Sequence, residues 1–206
     1  MKAGRRPRPK KPKAVPSSSA NAIFLVGFMG AGKTSVGRAL GQQLNWIFED
    51  LDDRIEVREG RKVVDIFQDS GESAFRRAEH AALQQVLQEL SGGGARIVAL
   101  GGGAFVQQPN AVLLKTSRVP TVFLDAPVEE LWQRCCTQAS EAGTERPLLR
   151  DIDQFRRLYE ARSIGYAKAA LKIKTDSRPV EAIAAEIAKK LKLKEIALRT
   201  EQGEVE

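Results

Sequence analysis

A glycine-rich segment that joins a strand-like run to a helical pattern constrains this chain more than any other feature. Residues 27–34 read Gly-Phe-Met-Gly-Ala-Gly-Lys-Thr and match the phosphate-binding pattern G-x-x-x-x-G-K-[ST]. The apolar run at 22–26 precedes the segment, and apolar residues at helical spacing follow it in 35–44. In a strand–loop–helix arrangement, backbone N–H groups and the helix N-terminus bind phosphate oxygens. The alternative is a glycine turn with a chance lysine, which the two flanking elements argue against.

The net charge of +7 resides in the first 20 residues. That segment holds seven basic side chains and no acidic one, whereas residues 21–206 hold 26 of each. Its four prolines and three consecutive serines predict a disordered, solvated extension. A basic arm that touches nucleic acid or a membrane, and an organellar transit peptide, are the alternatives for this tail. For the neutral folded part we expect no nucleic-acid partner and no membrane.

The cysteine content favours a reducing compartment. Cys135 and Cys136 are adjacent and cannot form a long-range disulfide, and His80 is the single histidine of the sequence. We therefore expect structural or surface thiols rather than metal ligands, a cytoplasmic location and a monomer. The sequence also lacks an apolar run of membrane-spanning length and the apolar segment of a secretory signal.

Short apolar runs alternate with amphipathic segments over residues 21–193. We expect one domain there, between the tail at 1–20 and a C-terminal tail at 194–206. The predicted strands cover residues 22–26, 46–49, 95–100, 121–125 and 171–175. The predicted helices cover residues 35–44, 54–59, 62–67, 71–90, 111–115, 128–136, 153–169 and 180–191, with an irregular polar segment at 138–151. This alternation predicts an α/β fold with a parallel sheet covered by helices on both faces.

Two aspartates follow the second predicted strand, at the sheet edge where such folds bind ligands. Asp50 and Asp52 are two residues apart in a segment predicted to be extended, so their side chains point the same way. One carboxylate can hold the water shell of Mg²⁺ while the other faces an acceptor group. The alternative is that both simply cap the following helix.

Three glycines follow the third predicted strand at the same edge. Gly101, Gly102 and Gly103, called here the glycine triplet, permit close approach of the backbone to a ligand and offer N–H donors. A flexible turn is the alternative, but Gly92, Gly93 and Gly94 already supply an ordinary loop before that strand. We therefore expect the triplet to contact a ligand.

A resemblance to a known family is carried by six segments taken together. They are residues 27–34, Asp-Leu-Asp at 50–52, Asp-Ile-Phe at 65–67, Gly-Glu-Ser-Ala-Phe-Arg-Arg-Ala-Glu at 71–79, Gly-Gly-Gly at 101–103 and Arg-Pro-Leu-Leu at 146–149. Over residues 22–191 the sequence resembles the shikimate kinases. The resemblance implies a three-layer fold like that of nucleoside monophosphate kinases, with five parallel strands and a mobile lid at 138–151. It also implies ATP-dependent phosphorylation of the 3-hydroxyl of shikimate, a step of aromatic amino acid biosynthesis.

The resemblance also implies roles for individual residues. Lys33, Asp52 and Arg146 match catalytic groups: Lys33 on the β- and γ-phosphates, Asp52 on the shikimate hydroxyls and as a base, Arg146 on the transferring phosphate. Arg76 and Arg162 match the arginines that hold the shikimate carboxylate, together with the backbone of the glycine triplet. Thr34 and Asp50 match the Mg²⁺ ligands. The expected ATP contacts are Gly30, Ala31, Gly32, Lys33, Thr34, Ser35, Arg134, Arg146 and Arg178, with Arg134 and Arg178 on either side of adenine.

The chain departs from the family pattern after Arg162. The family has x-Pro-Leu-Tyr there, whereas this chain has Ser163, Ile164, Gly165 and Tyr166. Two other functions remain open from the sequence: a ligand-sensing regulator built on such a domain, and a kinase for another polyol such as gluconate. A GTPase is disfavoured because the sequence lacks an Asn-Lys-x-Asp segment.

Overall fold

The computed structural model describes residues 21–142, Leu149 and residues 151–196. Five strands form one parallel sheet in the order β2-β3-β1-β4-β5. Their bounds are β1 Ala22–Val26, β2 Ile47–Asp50, β3 Arg96–Ala99, β4 Thr121–Asp125 and β5 Leu171–Lys174. The prediction of a five-stranded parallel sheet is confirmed. The expectations for the tail at 1–20, for Arg146 and for residues 197–206 lie outside the described residues.

Seven helices and one 3₁₀ turn complete the described part of the chain. They are α1 Lys33–Leu44, α2 Leu51–Glu59, α3 Val63–Ser91, the 3₁₀ turn Ala104–Val106, α4 Gln108–Ser117, α5 Val128–Ala142, α6 Ile152–Tyr166 and α7 Val180–Leu191. The predicted irregular segment at 138–151 is wrong for residues 138–142, which extend α5. Residues 138–142 contain neither Gly nor Pro, and the first glycine after them is Gly143. Nothing in the sequence therefore stops the helix earlier.

The sheet lies at the centre of the hydrophobic core. Every residue of β1 is buried, and Ile23, Phe24 and Leu25 have no exposed surface. A strand with both faces buried fits a near-continuous apolar run rather than an alternating one. In this register Phe24 lies beside Val98 of β3, and Val26 beside Phe123 of β4. The carboxyl ends of these strands therefore meet at one edge of the sheet. The glycine-rich segment at 27–34, called here the glycine loop, follows β1 at this edge, and the glycine triplet follows β3.

Helix α3 bends at Gly71, where φ is 74° and ψ is 170°. A left-handed φ favours glycine, because a Cβ would be strained there. The kink divides α3 into the two segments that the sequence predicts at 62–67 and from 71 onward. Because of the kink at Gly71, the second segment runs in a different direction from the first. It carries Arg76 and Glu79.

Helix α6 begins one residue earlier than predicted. Asp151 is its N-cap, and its carboxylate accepts hydrogen bonds from the backbone N–H groups of Asp153 at 2.8 Å and Gln154 at 3.2 Å. The helix ends at Tyr166 rather than at Ala169 because the chain then turns toward β4, where Ala170 N–H donates to the Thr121 hydroxyl.

The chain remains attached to the domain three residues beyond the predicted boundary at 193. The indole N–H of Trp46 donates to the carbonyl of Lys194, and Ile196 N–H donates to the carbonyl of Leu44, each at 3.0 Å. Among the described residues, no helix is both long and apolar enough to cross a bilayer.

Candidate active site

The loop between β1 and α1 is shaped by three glycines with left-handed backbone: Gly27, Gly30 and Gly32, with φ of 152°, 77° and 84°. A methyl group on Gly30 would lie 2.6 Å from the carbonyl oxygen of Leu131 in α5, so the loop also packs closely on that helix. Helix α1 starts directly after Gly32. Its free N–H groups and positive dipole end therefore face the loop, as phosphate binding requires.

Lys33 lies at the start of α1 and is folded back over the loop. Its ammonium group donates to the carbonyl oxygens of Gly27 and Phe28, each at 3.0 Å. Desolvation lowers the pKa of Lys33, while the nearby carboxylates of Asp52 and Asp50 act in the opposite direction. The charge is thus held at the loop by weak neutral acceptors, which phosphate oxygens can replace with stronger contacts.

Asp50 and Asp52 are not in one extended segment, and that prediction is wrong. Asp50 ends β2 and caps α2, because its carboxylate accepts from Asp52 N–H at 3.1 Å. Its other oxygen accepts from the Thr34 hydroxyl at 3.0 Å. Asp52 lies in the first turn of α2. The alternative, that the aspartates cap the following helix, is therefore correct for Asp50. The second carboxylate oxygen of Asp50 and the Thr34 hydroxyl oxygen lie together beside the loop.

One carboxylate oxygen of Asp52 is buried next to the glycine triplet. Its Oδ1 atom has no hydrogen-bond partner among the described residues. Desolvation, followed by the charge of Asp50, raises the pKa of Asp52 to about 6. A methyl group on Gly101 would lie 2.6 Å from Oδ1, so the glycine lets this oxygen approach the triplet. An unsatisfied buried acceptor is costly, and a ligand hydroxyl would satisfy it.

Arg76 projects from the second segment of α3 toward the triplet. A methyl group on Gly103 would lie 2.7 Å from its Nη1 atom and 2.8 Å from Nη2. Nη1 donates to both carboxylate oxygens of Glu79, at 3.2 and 3.1 Å, while Nη2 donates to Glu72 at 2.9 Å. The guanidinium is therefore fixed in a plane at the glycine triplet.

Glu79 is a site residue that the sequence analysis missed. Its side chain is completely buried and pairs with Arg76. Desolvation raises the pKa of Glu79 to about 7, although the Arg76 charge and hydrogen bond oppose the shift. The signal for it was the arginine–glutamate pair at i and i+3 within the quoted segment 71–79, which places both side chains on one helix face.

Arg162 lies at the site despite the altered sequence that follows it. A methyl group on Gly102 would lie 3.5 Å from its Nη1 atom, and its guanidinium carbon lies 5.8 Å from the ring centroid of Phe28 in the glycine loop. One turn later, the buried Tyr166 hydroxyl donates to the carbonyl of Gly102. Burial raises the pKa of Tyr166 to about 12, so it stays a donor. Helix α6 thus contacts both the loop and the triplet.

The two arginines expected around adenine lie beside the connection between β5 and α7. Arg134 donates to the carbonyls of Thr175 at 2.8 Å and Gly30 at 3.3 Å, and pairs with Glu130 at 2.6 Å. Arg178 donates to the carbonyl of Lys174 at 2.8 Å. Arg134 therefore contacts the glycine loop, whereas Arg178, just after the end of β5, pairs with Glu186. The position of Arg146 lies outside the described residues.

These groups form two adjoining halves. One, called here the donor half, holds the phosphate-binding loop with Lys33. The other, called the acceptor half, holds two arginines around bare glycine backbone and a carboxylate oxygen that has no hydrogen-bond partner among the described residues. Planar guanidinium groups bind carboxylates through paired hydrogen bonds. Fold and site together define a P-loop phosphotransferase with an acceptor site suited to a small hydroxylated anion.

Comparison with known proteins identifies the family. Residues 29–192 match the family model described as Shikimate kinase. A Shikimate kinase of Thermus thermophilus is 40% identical over 172 residues, which cover 82% of this chain and 89% of that protein. The solved "Shikimate kinase from Acinetobacter baumannii in complex with shikimate" is 36% identical, with a TM-score of 0.71 and coverage of 82% and 92%. The chain belongs to the shikimate kinase family.

A gluconokinase from Sinorhizobium meliloti shares the fold alone. Its structure is 17% identical, with a TM-score of 0.52 and coverage of 84% of this chain and 97% of its own.

Proposed function

We propose that the chain transfers the γ-phosphoryl group of ATP to the 3-hydroxyl of shikimate, giving shikimate 3-phosphate for aromatic amino acid biosynthesis. The observation that carries the proposal is the convergence of Arg76, Arg162 and Asp52 on the glycine triplet, beside Lys33. Among the described residues, the Asp52 Oδ1 atom has no hydrogen-bond partner. Family membership and the solved relative in complex with shikimate support it.

The acceptor half offers partners for the carboxylate and for a hydroxyl of shikimate. Shikimate carries one carboxylate and three hydroxyls. Arg76 and Arg162 bind the carboxylate, and the backbone N–H groups of the glycine triplet face the bound shikimate. Asp52 accepts a hydrogen bond from a hydroxyl, which supplies the partner that its Oδ1 atom lacks among the described residues. This orientation leaves one hydroxyl facing the glycine loop.

The donor half binds ATP through the loop and α1. Backbone N–H groups from Gly30 to Ser35 hold the phosphates, and Lys33 moves from its carbonyl partners to the β- and γ-phosphates. Arg134 and Arg178, which bond to backbone carbonyls at the end of β5, stack their guanidinium groups on adenine.

The oxygens of Thr34 and Asp50 fit Mg²⁺, a hard cation that prefers oxygen ligands and keeps several waters. Their 3.0 Å separation puts a hydroxyl and a carboxylate beside the phosphate-binding loop. When bound there, Mg²⁺ would neutralise charge on the β- and γ-phosphates.

The transfer itself needs positioning and positive charge more than covalent catalysis. The 3-hydroxyl oxygen attacks the γ-phosphorus, the bond from that phosphorus to the bridging oxygen of ADP breaks, and the hydroxyl proton passes to Asp52. A pKa raised to about 6 makes Asp52 a stronger base than an ordinary aspartate while keeping it ionised at neutral pH. Lys33 stabilises charge on the transferring group. Arg146, whose position lies outside the described residues, would add to it if it belongs to a lid that closes over the site and excludes water.

We also propose that the enzyme works as a cytoplasmic monomer. The adjacent thiols Cys135 and Cys136 suit a reducing compartment. Size-exclusion chromatography with light scattering should give one 22.6 kDa species; a stable dimer would contradict this.

A coupled ADP-release assay with shikimate, quinate and gluconate in parallel tests the function. We expect shikimate to stimulate ADP release strongly, and Arg76→Ala and Arg162→Ala to abolish most of the stimulation at low shikimate. Arg156→Ala serves as the matched control, because Arg156 is also on α6 but pairs with Asp153 and Glu129 on the surface. Stimulation by gluconate without stimulation by shikimate would refute the proposal.

A further inference from the structure

Gly165 is a helix glycine whose place a larger residue cannot take without moving its neighbour. It lies in the last turn of α6, one residue before the buried Tyr166, which ends the helix, and three after Arg162. A methyl group on Gly165 would lie 2.5 Å from Cγ1 and 3.3 Å from Cβ of Val106. A separation of 2.5 Å does not occur between real non-bonded carbon atoms, so the contact exists only because residue 165 lacks a side chain.

Glycine inside a helix is less favourable than alanine, because it loses more backbone entropy on folding. Other glycines of the chain, such as Gly60, would place a methyl group in open space and occur where a left-handed φ requires them. No left-handed φ accounts for Gly165, which has helical neighbours on both sides. Close packing against Val106 is therefore the physical reason for this glycine.

Val106 ends the 3₁₀ turn that continues directly from the glycine triplet. Ala104 N–H donates to the carbonyl of Gly101 at 3.0 Å, and Val106 N–H donates to the carbonyl of Gly103 at 3.2 Å. A displacement of Val106 is consequently passed to the triplet through two backbone hydrogen bonds. The triplet cannot absorb it freely, since a methyl group on Gly103 would already lie 2.7 Å from Arg76.

The other side of the contact carries the carboxylate-binding arginine. Arg162 and Tyr166 are four residues apart on α6 and both face Gly102, with the Tyr166 hydroxyl bonded to its carbonyl. The Gly165–Val106 contact thus fixes how closely α6 approaches the turn. That approach sets the distance from the Arg162 guanidinium to the triplet backbone.

We propose that Gly165 is a positioning residue for acceptor binding: by letting Val106 pack against the α6 backbone, it sets the spacing between Arg162 and the glycine triplet. This inference rests on the proposed function. It also gives a physical role to the position where this chain has glycine and the family pattern has leucine.

The test is a double-mutant cycle read as steady-state kinetics. Gly165→Ala should raise the KM for shikimate about tenfold, because overpacking one methyl group forces α6 and the turn apart. The KM for ATP and kcat should stay near wild type, since the contact affects acceptor binding in ground and transition states alike. Adding Val106→Ala removes the opposing methyl groups and should bring the KM for shikimate back to within about threefold of wild type.

Ile164→Ala is the matched control. Ile164 is the neighbouring departure from the family pattern, but its side chain is 74% exposed, and alanine there should leave every constant unchanged. Val106→Ile adds one methylene to the other side of the contact. It provides the same test if Gly165→Ala does not fold, as judged by thermal unfolding.

The outcomes separate the two proposals. A wild-type enzyme that does not respond to shikimate refutes the proposed function and this inference with it. A normal wild type with an unchanged KM for shikimate in Gly165→Ala refutes this inference alone. So does a raised KM that Val106→Ala fails to restore, because the effect then does not arise from this contact.

Discussion

The donor half and the acceptor half of the site differ in how their charged groups are satisfied. In the donor half, Lys33 bonds to two loop carbonyls, and Thr34 bonds to Asp50. In the acceptor half, Asp52 Oδ1 lacks a partner among the described residues, and the buried Glu79 has a pKa raised to about 7. The polar side chains of the donor half therefore have hydrogen-bond partners, whereas the acceptor half holds desolvated carboxyl groups that a ligand would stabilise.

This difference has a physical origin in what each half must recognise. Phosphates are bound largely by backbone N–H groups, so the donor half needs a single buried charge, that of Lys33. A hydroxylated carboxylate requires charged side chains of both signs in a small desolvated space, where each group shifts the pKa of the others. Substitutions in the acceptor half should therefore change acceptor kinetics while leaving ATP binding intact.

The largest expected effect is that of Asp52→Asn. Asparagine keeps the shape but accepts no proton, so kcat should fall by about 10²–10⁴-fold. ATP binding, measured by calorimetry, should change far less than kcat, because Asp52 acts on Lys33 only through its charge while Lys33 bonds to the carbonyls of Gly27 and Phe28. Near-normal turnover would exclude Asp52 as the base, and weakened ATP binding would show that the two halves are not separable.

Arg76→Lys should have the next largest effect. Lysine keeps the charge but cannot form two parallel hydrogen bonds, so the KM for shikimate should rise about 10–100-fold. Arg77→Lys is the matched control, because Arg77 is adjacent in the sequence but exposed. Equal effects of the two substitutions on KM would argue against carboxylate recognition by Arg76.

The smallest expected effect concerns stability and pH in Glu79→Gln. Because the pKa of Glu79 is raised from 4.5 to about 7 on folding, the folded state binds more protons between these values than the unfolded state. Stability of the unliganded protein should therefore be greatest below pH 4.5 as far as Glu79 is concerned, and fall as pH rises through about 7. Glu79→Gln should remove roughly 1–2 kcal/mol of that fall.

Urea unfolding of wild type and Glu79→Gln at about pH 5 and about pH 8, on either side of the raised pKa, measures this difference. Asp52 contributes a fall in the same direction, since its pKa is raised to about 6, and that part should remain in the variant. Identical pH dependence in the two proteins would mean that Glu79 is not desolvated as the structure indicates.

The sequence predicted the donor half more completely than the acceptor half, for a reason visible in particular residues. The loop at 27–34 is one contiguous segment, so a single sequence motif is enough to predict its conformation. Asp52, Arg76 and Arg162 come from three helices, and only the family resemblance pointed to the arginines. Glu79 was missed because a buried glutamate looks like a surface residue of an amphipathic helix until its partner is known.

Local errors also have local causes. Asp52 was predicted in an extended segment, but the capping bond from Asp50 starts the helix earlier than its apolar pattern suggests. With the altered run after Arg162, that arginine lies beside Gly102, to whose carbonyl the Tyr166 hydroxyl donates. Pattern alone could not show that Gly165 and Val106 touch, since they are far apart in the chain.

Binding of shikimate and of shikimate methyl ester, measured by calorimetry on the wild-type enzyme, tests the central claim most directly. If Arg76 and Arg162 recognise the carboxylate in a desolvated site, the ester should bind about 100-fold more weakly than the acid, because two charge-assisted contacts are lost. Arg76→Lys should then weaken binding of the acid but not of the ester. An ester that binds wild type as tightly as the acid would contradict the account.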